Sequence, residues 1–439
     1  MFTTCRSPKK LLITVPTDST VGDSAAVFEA TGRPAAMRFI MVAVLIDMIS
    51  IGLMIPVLPL IVGQFTQSQS DHAFWYGAVT FAFGVTNFFG SAILGALSDR
   101  FGRRPVLLIG FSGLAFTFFM TAAATSLWTL VVIRLIGGAM QANIAVANAY
   151  VADITPAQDR AKQFGLLGAM MGFGFILGPA LGGILGDLDL RLPFVAAGSL
   201  AVINWVYGFF VLPESLPVGQ RTPFDWRKAN PVSALRGLID LGGVGPLVAV
   251  IALSTLSQFM LHSTWVLYAT FKFGWGPHET GWSLMTVGVV NVVMQGVLLK
   301  HILKRISAQR LAVIGLASAA LAYFAFGMAT QGWMLFLIIV LNMPSAATGT
   351  ALQSMVSSAA GASVQGRTLG AVSSLNSMMA VLAPLAGAGL LSLVSDAPRG
   401  DIRLGLPFFV GSLIQLIAMA LAVWHFRRQR LPASDASSI

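Results

Sequence analysis

The sequence predicts an all-α integral membrane protein whose twelve transmembrane helices form two pseudo-symmetric halves of six. Three observations lead to this prediction: a composition with few charges, twelve stretches long enough to cross a bilayer, and an internal repeat. Of 439 residues, 56% are hydrophobic and only 10% are charged, whereas soluble domains carry about 25% charged residues. The apolar content excludes a disordered chain, and the single cysteine, Cys5, excludes a disulfide scaffold.

The spans are recognised by length, because a membrane-spanning helix needs about 20 mostly apolar residues. The twelve stretches are 39–62, 75–97, 105–125, 127–150, 163–186, 193–213, 246–271, 279–300, 309–329, 333–356, 367–394 and 405–426. The chain is accordingly divided into a disordered cytoplasmic tail at 1–37, a six-helix half at 38–213, a cytoplasmic linker at 214–245, a second half at 246–427 and a short tail at 428–439.

The positions of the cations orient the chain. In a soluble protein the net charge of +10 would suggest a nucleic-acid partner. Here 22 of the 27 Lys and Arg fall on the side of the two termini, 4 fall on the other side, and Arg134 lies inside a span. Because cationic loops stay in the cytoplasm, both termini are predicted to be cytoplasmic, in a bacterial inner membrane. The net positive charge thus reflects the orientation of the chain in the membrane, and no nucleic-acid partner is expected.

The internal repeat appears when the sequence is shifted by 205 residues. Arg100 then falls on Arg305, Gly110 on Gly315, Trp128 on Trp333, Gly165 on Gly370, Pro179 on Pro384 and Gly182 on Gly387. With six spans in each half, the repeats have the same orientation in the membrane. This is the architecture of transporters whose halves rock about a site near the bilayer midplane.

The loop after span two has the composition of a conformational switch. It contains Gly95, Asp99, Arg100, Gly102, Arg103 and Arg104. Glycine permits a close turn, and an aspartate is stabilised against the positive N-terminal end of a helix. The alternative interpretation is a basic turn that only anchors the chain, but an anchor needs neither the glycines nor the aspartate.

Span five carries a run of small residues: Gly165, Gly174, Gly178, Pro179, Gly182 and Gly183. Glycines at 174, 178 and 182 share one helix face, so another helix can approach closely. The proline removes one helical hydrogen bond and favours a bend. Generic helix packing is the alternative, but the whole spacing is rarer than a glycine pair.

These strings resemble signatures of the major facilitator superfamily, and of its twelve-helix drug:proton antiporter branch. The 95–106 string looks like the superfamily's signature loop, and the 165–183 string looks like the antiporter motif. Residues 130–138 around Arg134 resemble the branch's arginine motif, with Gly137 in place of its usual glutamine. The 47–59 segment is similar to the opening of tetracycline exporters. The resemblance covers about 38–427 and implies the major facilitator fold.

Asp47 is the candidate proton carrier, because it alone among the 17 acidic residues lies well inside a span. It is about 12 Å deep at 1.5 Å per residue, and an ionisable group at that depth is a functional candidate by default. Arg134, the one intramembrane arginine, is predicted to respond to its charge across a vertical gap of roughly 10 Å. The resemblance implies coupling through both positions. The alternative is a static buried pair.

Polar side chains inside the spans predict the substrate site. Amides are expensive against lipid and should face the bundle interior, among Phe, Met and Trp, which suits amphiphilic drug-like molecules. The predicted binding residues are Gln141, Asn143, Gln258, His262 and Asn291. The sequence differs from the tetracycline exporters at Thr117, Ala319 and Asn291, where those exporters carry two acids and a histidine. This argues against tetracycline itself as the substrate.

The sequence therefore predicts a monomeric, proton-coupled exporter of a lipophilic small molecule, with membrane lipid as its other partner. No P-loop string and no Cys/His metal spacing occur, so no cofactor, metal or enzymatic activity is expected. The alternatives are a proton-coupled nutrient symporter, against which the span-five motif argues, a non-transporting receptor of the same fold, and a membrane enzyme.

Overall fold

The structure is a computed structural model that describes residues 20–141, 143–156, 158–224, 245–359 and 365–430. Every regular element in these ranges is a helix. Eleven helices are long and apolar enough to cross a membrane, and one bent pair supplies a twelfth when it is counted as a single span. The predicted fold class is confirmed. The predicted tail at 1–19 and 431–439, and the linker at 225–244, lie outside the described residues.

The spans follow the predicted order. Spans one to nine are Ala36–Gly63, Gln69–Phe101, Arg103–Ala122, Leu127–Ile154, Lys162–Leu188, Leu192–Val211, Gly245–Phe273, Pro277–Ile302 and Ala308–Met328. Span ten is the pair Gly332–Leu341 and Met343–Ser358, bent by 48°, and spans eleven and twelve are Gly370–Ser392 and Ile402–Arg428.

Span one differs from the prediction at both ends. Its helix begins at Thr20, within the segment predicted as a disordered tail, because residues 20–35 include several helix-favouring alanines. It ends at Met54, and a short helix, Leu58–Gly63, completes the span. Pro56 lies in the turn between them, where a residue without an N–H cannot continue the helical ladder.

Helix starts elsewhere follow local capping. The hydroxyl of Ser68 accepts a hydrogen bond from the Asp71 amide at 3.0 Å and so begins span two. The hydroxyls of Ser126 and Ser307 cap the helices of spans four and nine in the same way. An N-terminal serine satisfies an amide that the helix leaves unpaired.

The repeat is visible in the packing as well as in the sequence. In the first half Gly110 of span three lies against the side chain of Asn143 in span four. In the second half Gly315 of span nine lies against Thr348 in span ten, 205 residues further along. Pro179 and Pro384 are both inside their helices, in spans five and eleven. The two halves therefore use the same small-to-polar contact at the same place.

The buried cores divide between the two ends of the bundle. We call the end that carries residues 98–104 the basic end, and the other the opposite end. At the basic end each half has its own core, one formed by residues between 36 and 212 and the other by residues between 247 and 426. At the opposite end one core combines residues of the first half with Leu267, Phe271, Leu391 and Leu404 of the second. The halves are thus joined at the opposite end and separate at the basic end.

Candidate functional site

A cavity of about 680 Å³ lies between the two halves. Its walls combine aromatic and aliphatic side chains with a few amides and hydroxyls from both halves. Arg134 and His262 are the lining residues with basic side chains, and none of the described lining residues is Asp or Glu. A mostly apolar pocket with few polar groups is the usual form of a small-molecule site.

The cavity is closed at the opposite end by two helix pairs, span two with eleven and span five with eight. A Cβ added at Gly77 would lie 2.5 Å from that of Ala388, and the Ser70 hydroxyl donates to the Ser392 carbonyl at 3.2 Å. Gly183 of span five contacts the backbone of span eight: a Cβ added at Gly183 would lie 2.7 Å from the Pro277 carbonyl oxygen.

The same helix pair separates toward the basic end. A Cβ added at Gly84 would lie 3.4 Å from the Cα of Val381, so the two spans are still in contact at this level. Eleven residues further along each helix, at Gly95 and Gly370, no atom of the described residues lies within 4 Å of an added Cβ. Because spans two and eleven run antiparallel in constant register, this loss of contact means that they splay apart. The cavity therefore opens toward the basic end.

Asp47 and Arg134 are both buried, at 5% exposure each, but they do not meet. Arg134 donates to the Met54 sulfur at 3.2 Å and lies over the Phe83 ring at 5.9 Å. Met54 is seven residues after Asp47, which places Asp47 on the same helix face about 10 Å away. No ion pair or hydrogen bond to the Asp47 carboxylate occurs among the described residues. Arg134 lines the cavity and Asp47 does not.

The five predicted substrate residues lie in three places. Gln258, His262 and Asn291 line the cavity, on spans seven and eight. Gln141 lines a small space beside it. Asn143 is 1% exposed and packs against Gly110, away from the cavity. Asn143 lies in the contact between spans three and four, at the place that Thr348 occupies in the second half.

Two tyrosines that line the cavity were not singled out from the sequence. Tyr76 of span two and Tyr323 of span nine both face the cavity. Asn342 and Asn376 also line it, and each accepts a hydrogen bond at 3.1 Å, from Ser318 and Thr255 respectively. These two amides therefore link helices of the second half as well as lining the wall. A tyrosine in an apolar helix gives no sequence signal that separates a lining position from a core position.

The predicted switch loop forms a charged network at the basic end. Arg103 pairs with Asp99 at 2.5 Å and with Asp153 of span four at 3.1 Å. Gly102 has a φ of 105°, a left-handed conformation that favours glycine. The carboxylate of Glu214, at the end of span six, lies next to Gly102 in space. It accepts hydrogen bonds from the backbone amides of Arg103 at 2.8 Å and Arg104 at 3.3 Å.

Glu214 is a member of this network that was not singled out from the sequence. Its carboxylate occupies the N-terminus of span three, where negative charge is stabilised, and it ties the end of span six to the switch loop. The signal available in the sequence was an acid directly after span six, on the side where cations predominate.

The glycines of span five form the predicted close contact. Gly174, Gly178 and Gly182 all lie against the backbone or Cβ atoms of span one, and Gly183 faces span eight. Gly178 and Gly52 approach so closely that a Cβ on Gly178 would lie 2.6 Å from the Gly52 Cα. Span one, which carries Asp47, therefore runs against span five with nothing between the backbones.

This contact leads to a stability prediction for Gly178→Ala. We expect the added methyl to force the two spans apart and to cost about 1–3 kcal/mol, the usual range for overpacking. Thermal unfolding of the purified protein measures the loss. The matched control is Gly168→Ala on the same helix, where no atom of the described residues lies within 4 Å of an added Cβ and alanine should stabilise by about 0.5–1 kcal/mol. Equal effects at both positions would contradict the close contact.

Two six-helix halves around one cavity that opens at one end define a secondary transporter. The chain belongs to the Major Facilitator Superfamily, whose sequence model matches residues 40–384 and again 247–438. This membership confirms the family suggested by the sequence motifs.

Individual relatives agree with the family match. The chain is 34% identical to the tetracycline resistance protein, class C, of Escherichia coli, over 88% of this chain and 95% of that protein. It is 25% identical to multidrug resistance protein 2 of Bacillus subtilis (strain 168), over 88% and 94%. The crystal structure of a D-xylose–proton symporter superposes with a TM-score of 0.68 at 18% identity, covering 90% of this chain and 97% of that one, which shows the shared fold.

Proposed function

We propose that this protein exports a lipophilic, drug-like small molecule in exchange for protons, by alternating access. The observation that carries the proposal is the cavity between the halves, which opens at the basic end and closes at the opposite end. Relatives named for tetracycline and multidrug resistance support export of drugs as the activity. A cavity of about 680 Å³ with mostly apolar walls suits an amphiphilic molecule of drug size.

The orientation in the membrane belongs to the same proposal. The basic end faces the cytoplasm of a bacterial cell, with both termini on that side of the inner membrane. The conformation described above then opens to the cytoplasm and is the one that loads substrate. The protein works as a monomer, since the cavity is complete within one chain.

Asp47 carries the proton in this mechanism. A carboxylate held about 12 Å inside the bilayer is costly when charged and inexpensive when protonated, so proton binding and release change the energy of span one. Span one touches span five through Gly178 and touches Arg134 through Met54. A shift of this helix can therefore pass the protonation state of Asp47 to the cavity wall without a direct ion pair.

The switch loop and the span-five glycines set the two end states. The Arg103 network holds the ends of spans two, three and four together at the basic end. The glycine contacts allow span five to slide against spans one and eight with little side-chain rearrangement.

Drug accumulation in cells tests the direction of transport. Cells that lack their own drug exporters are compared with and without the protein, across fluorescent lipophilic compounds of different classes. We expect lower accumulation of at least one compound when the protein is present, and loss of this difference when an ionophore collapses the proton gradient. Higher accumulation would identify an importer. If the ionophore left the difference in accumulation unchanged, transport would not be coupled to protons.

A further inference from the structure

A small space of about 10 Å³ adjoins the cavity within the first half, roughly the room that one oxygen-sized atom needs. Met54, Phe83 and Arg134 line both spaces, so the guanidinium lies at the boundary between them. Gln141, two turns further along span four, lines the small space from the other side. We call this space the side pocket.

Three donor atoms of the side pocket, on Arg134 and Gln141, have no acceptor among the described residues. Arg134 is 5% exposed and Gln141 is 8% exposed. The Nε and Nη2 atoms of Arg134 and the Nε2 atom of Gln141 are buried without a hydrogen-bond partner among the described residues. The Nη1 atom of Arg134 donates to the Met54 sulfur at 3.2 Å, which is a weak acceptor. Three buried donors on two residues that line the side pocket therefore have no hydrogen-bond partner among the described residues.

Charge balance favours an anion here. The Thr117 and Thr121 hydroxyls of the side pocket donate to backbone carbonyls of their own helix. The described residues that line the cavity and the side pocket include no Asp or Glu. A buried cation without a counter-ion is costly, and guanidinium pairs with carboxylate through strong, charge-assisted hydrogen bonds. The described lining residues therefore supply no counter-ion for Arg134.

We propose that the transported molecule is an organic anion whose negatively charged oxygen binds Arg134 and Gln141 at the side pocket, while its apolar body fills the central cavity. This inference rests on the proposed function, since it names the substrate class of the same cavity. It explains why the wall is aromatic and yet carries one unpaired arginine. It also makes exchange electrogenic, because an anion leaves the cell as a proton enters.

Three probes with one ring system test the charge preference. They are 9-anthracenecarboxylate, its neutral carboxamide and the cationic 9-(aminomethyl)anthracene, titrated into the purified protein by fluorescence. We expect the carboxylate to bind at least about tenfold more tightly than the cation, because charge-assisted hydrogen bonds are about twice as strong as neutral ones. The carboxamide should lie between them. Equal binding of all three, tighter binding of the cation, or no binding of the carboxylate would overturn the proposal.

Variants assign the preference to the side pocket. In Gln141→Glu a carboxylate of the same shape supplies the missing acceptor, so the preference for the anionic probe should disappear. Arg134→Gln should also abolish it, and Arg134→Lys should keep part of it, because the charge remains while the planar fork is lost. The control is Lys304→Gln, which removes one exposed cation at the basic end and should change nothing. A preference that survives Gln141→Glu and Arg134→Gln would place the anion elsewhere.

Buffer ions separate a substrate anion from a free inorganic one. The titrations are repeated in gluconate and in chloride, together with thermal unfolding. We expect the carboxylate to raise the unfolding temperature in both salts. Stabilisation by chloride alone, with no effect of the carboxylate, would assign the donors to an inorganic ion and would contradict the proposal.

This test is independent of proton coupling. Binding is measured without a proton gradient, so a cation preference in a protein that still exchanges protons overturns the substrate class and leaves the transport function in place. A carboxylate preference in a protein that moves no protons would support the substrate class and would contradict proton-coupled transport.

Discussion

Asp47→Asn is expected to bind substrate normally and to lose proton-linked transport. Asparagine has the shape of the aspartate but cannot release a proton, so span one keeps a single charge state. We expect exchange to fall by at least about two orders of magnitude, the size typical for loss of a positioned proton-transfer group. Substrate affinity should change little, because Asp47 does not line the cavity. Drug-dependent proton flux and equilibrium binding, measured on the same preparation, separate the two effects.

The control for this variant is Asp71→Asn. Asp71 is an exposed carboxylate at the start of span two, so its loss should leave exchange close to the wild type. Full proton-linked transport by Asp47→Asn would eliminate its coupling role and would favour the static interpretation, in which the buried carboxyl only packs between helices.

A covalent link across the closed end is expected to abolish transport. The Ser70 hydroxyl and the Ser392 carbonyl are 3.2 Å apart at the opposite end, so cysteines at 70 and 392 should cross-link in the conformation described here. Substrate could then enter from the basic end but could not leave. Because Cys5 is the one native cysteine, Cys5→Ser provides a clean background. We expect transport by the double-cysteine variant to stop on cross-linking with a short bis-methanethiosulfonate reagent, and transport by the single-cysteine variants to continue after the same treatment.

A second cysteine pair reports the other conformation. Gly95 and Gly370 occupy the same register on spans two and eleven as Gly77 and Ala388, but no atom of the described residues lies within 4 Å of a Cβ added at either. Cysteines at these positions should therefore cross-link only when the basic end closes. Linking both pairs at once in one molecule, or transport that continues with 70 and 392 linked, would contradict alternating access.

The order of the spans could be predicted because bilayer physics acts directly on the sequence. Span length and the shift of 205 residues predicted the helix order, and the structure reproduces the helix starts within a few residues except at Thr20 and Gln69. The face of span five was also predictable, since glycine at every fourth position leaves one side of a helix without side chains, and Gly174, Gly178 and Gly182 lie where that pattern places them.

The site was less predictable because depth along a helix does not give contacts between helices. Asp47 and Arg134 were placed roughly 10 Å apart in depth, and the structure keeps them apart, with Met54 in the position that links them. The polarity of a residue within a span also did not distinguish positions that line the cavity from positions that pack between helices. Asn143 packs against Gly110, while Tyr76 lines the cavity without any pattern that marks it.

Proton movement in inverted membrane vesicles tests the central claim most directly. Respiration acidifies the vesicle interior, a pH-sensitive dye reports it, and a compound that the cells export is then added outside. We predict that the interior pH rises with wild-type protein, because each molecule carried inward releases protons outward, and that Asp47→Asn gives no rise. No pH response to a compound that binds the protein, or an equal response from Asp47→Asn, would contradict proton-coupled export through this residue.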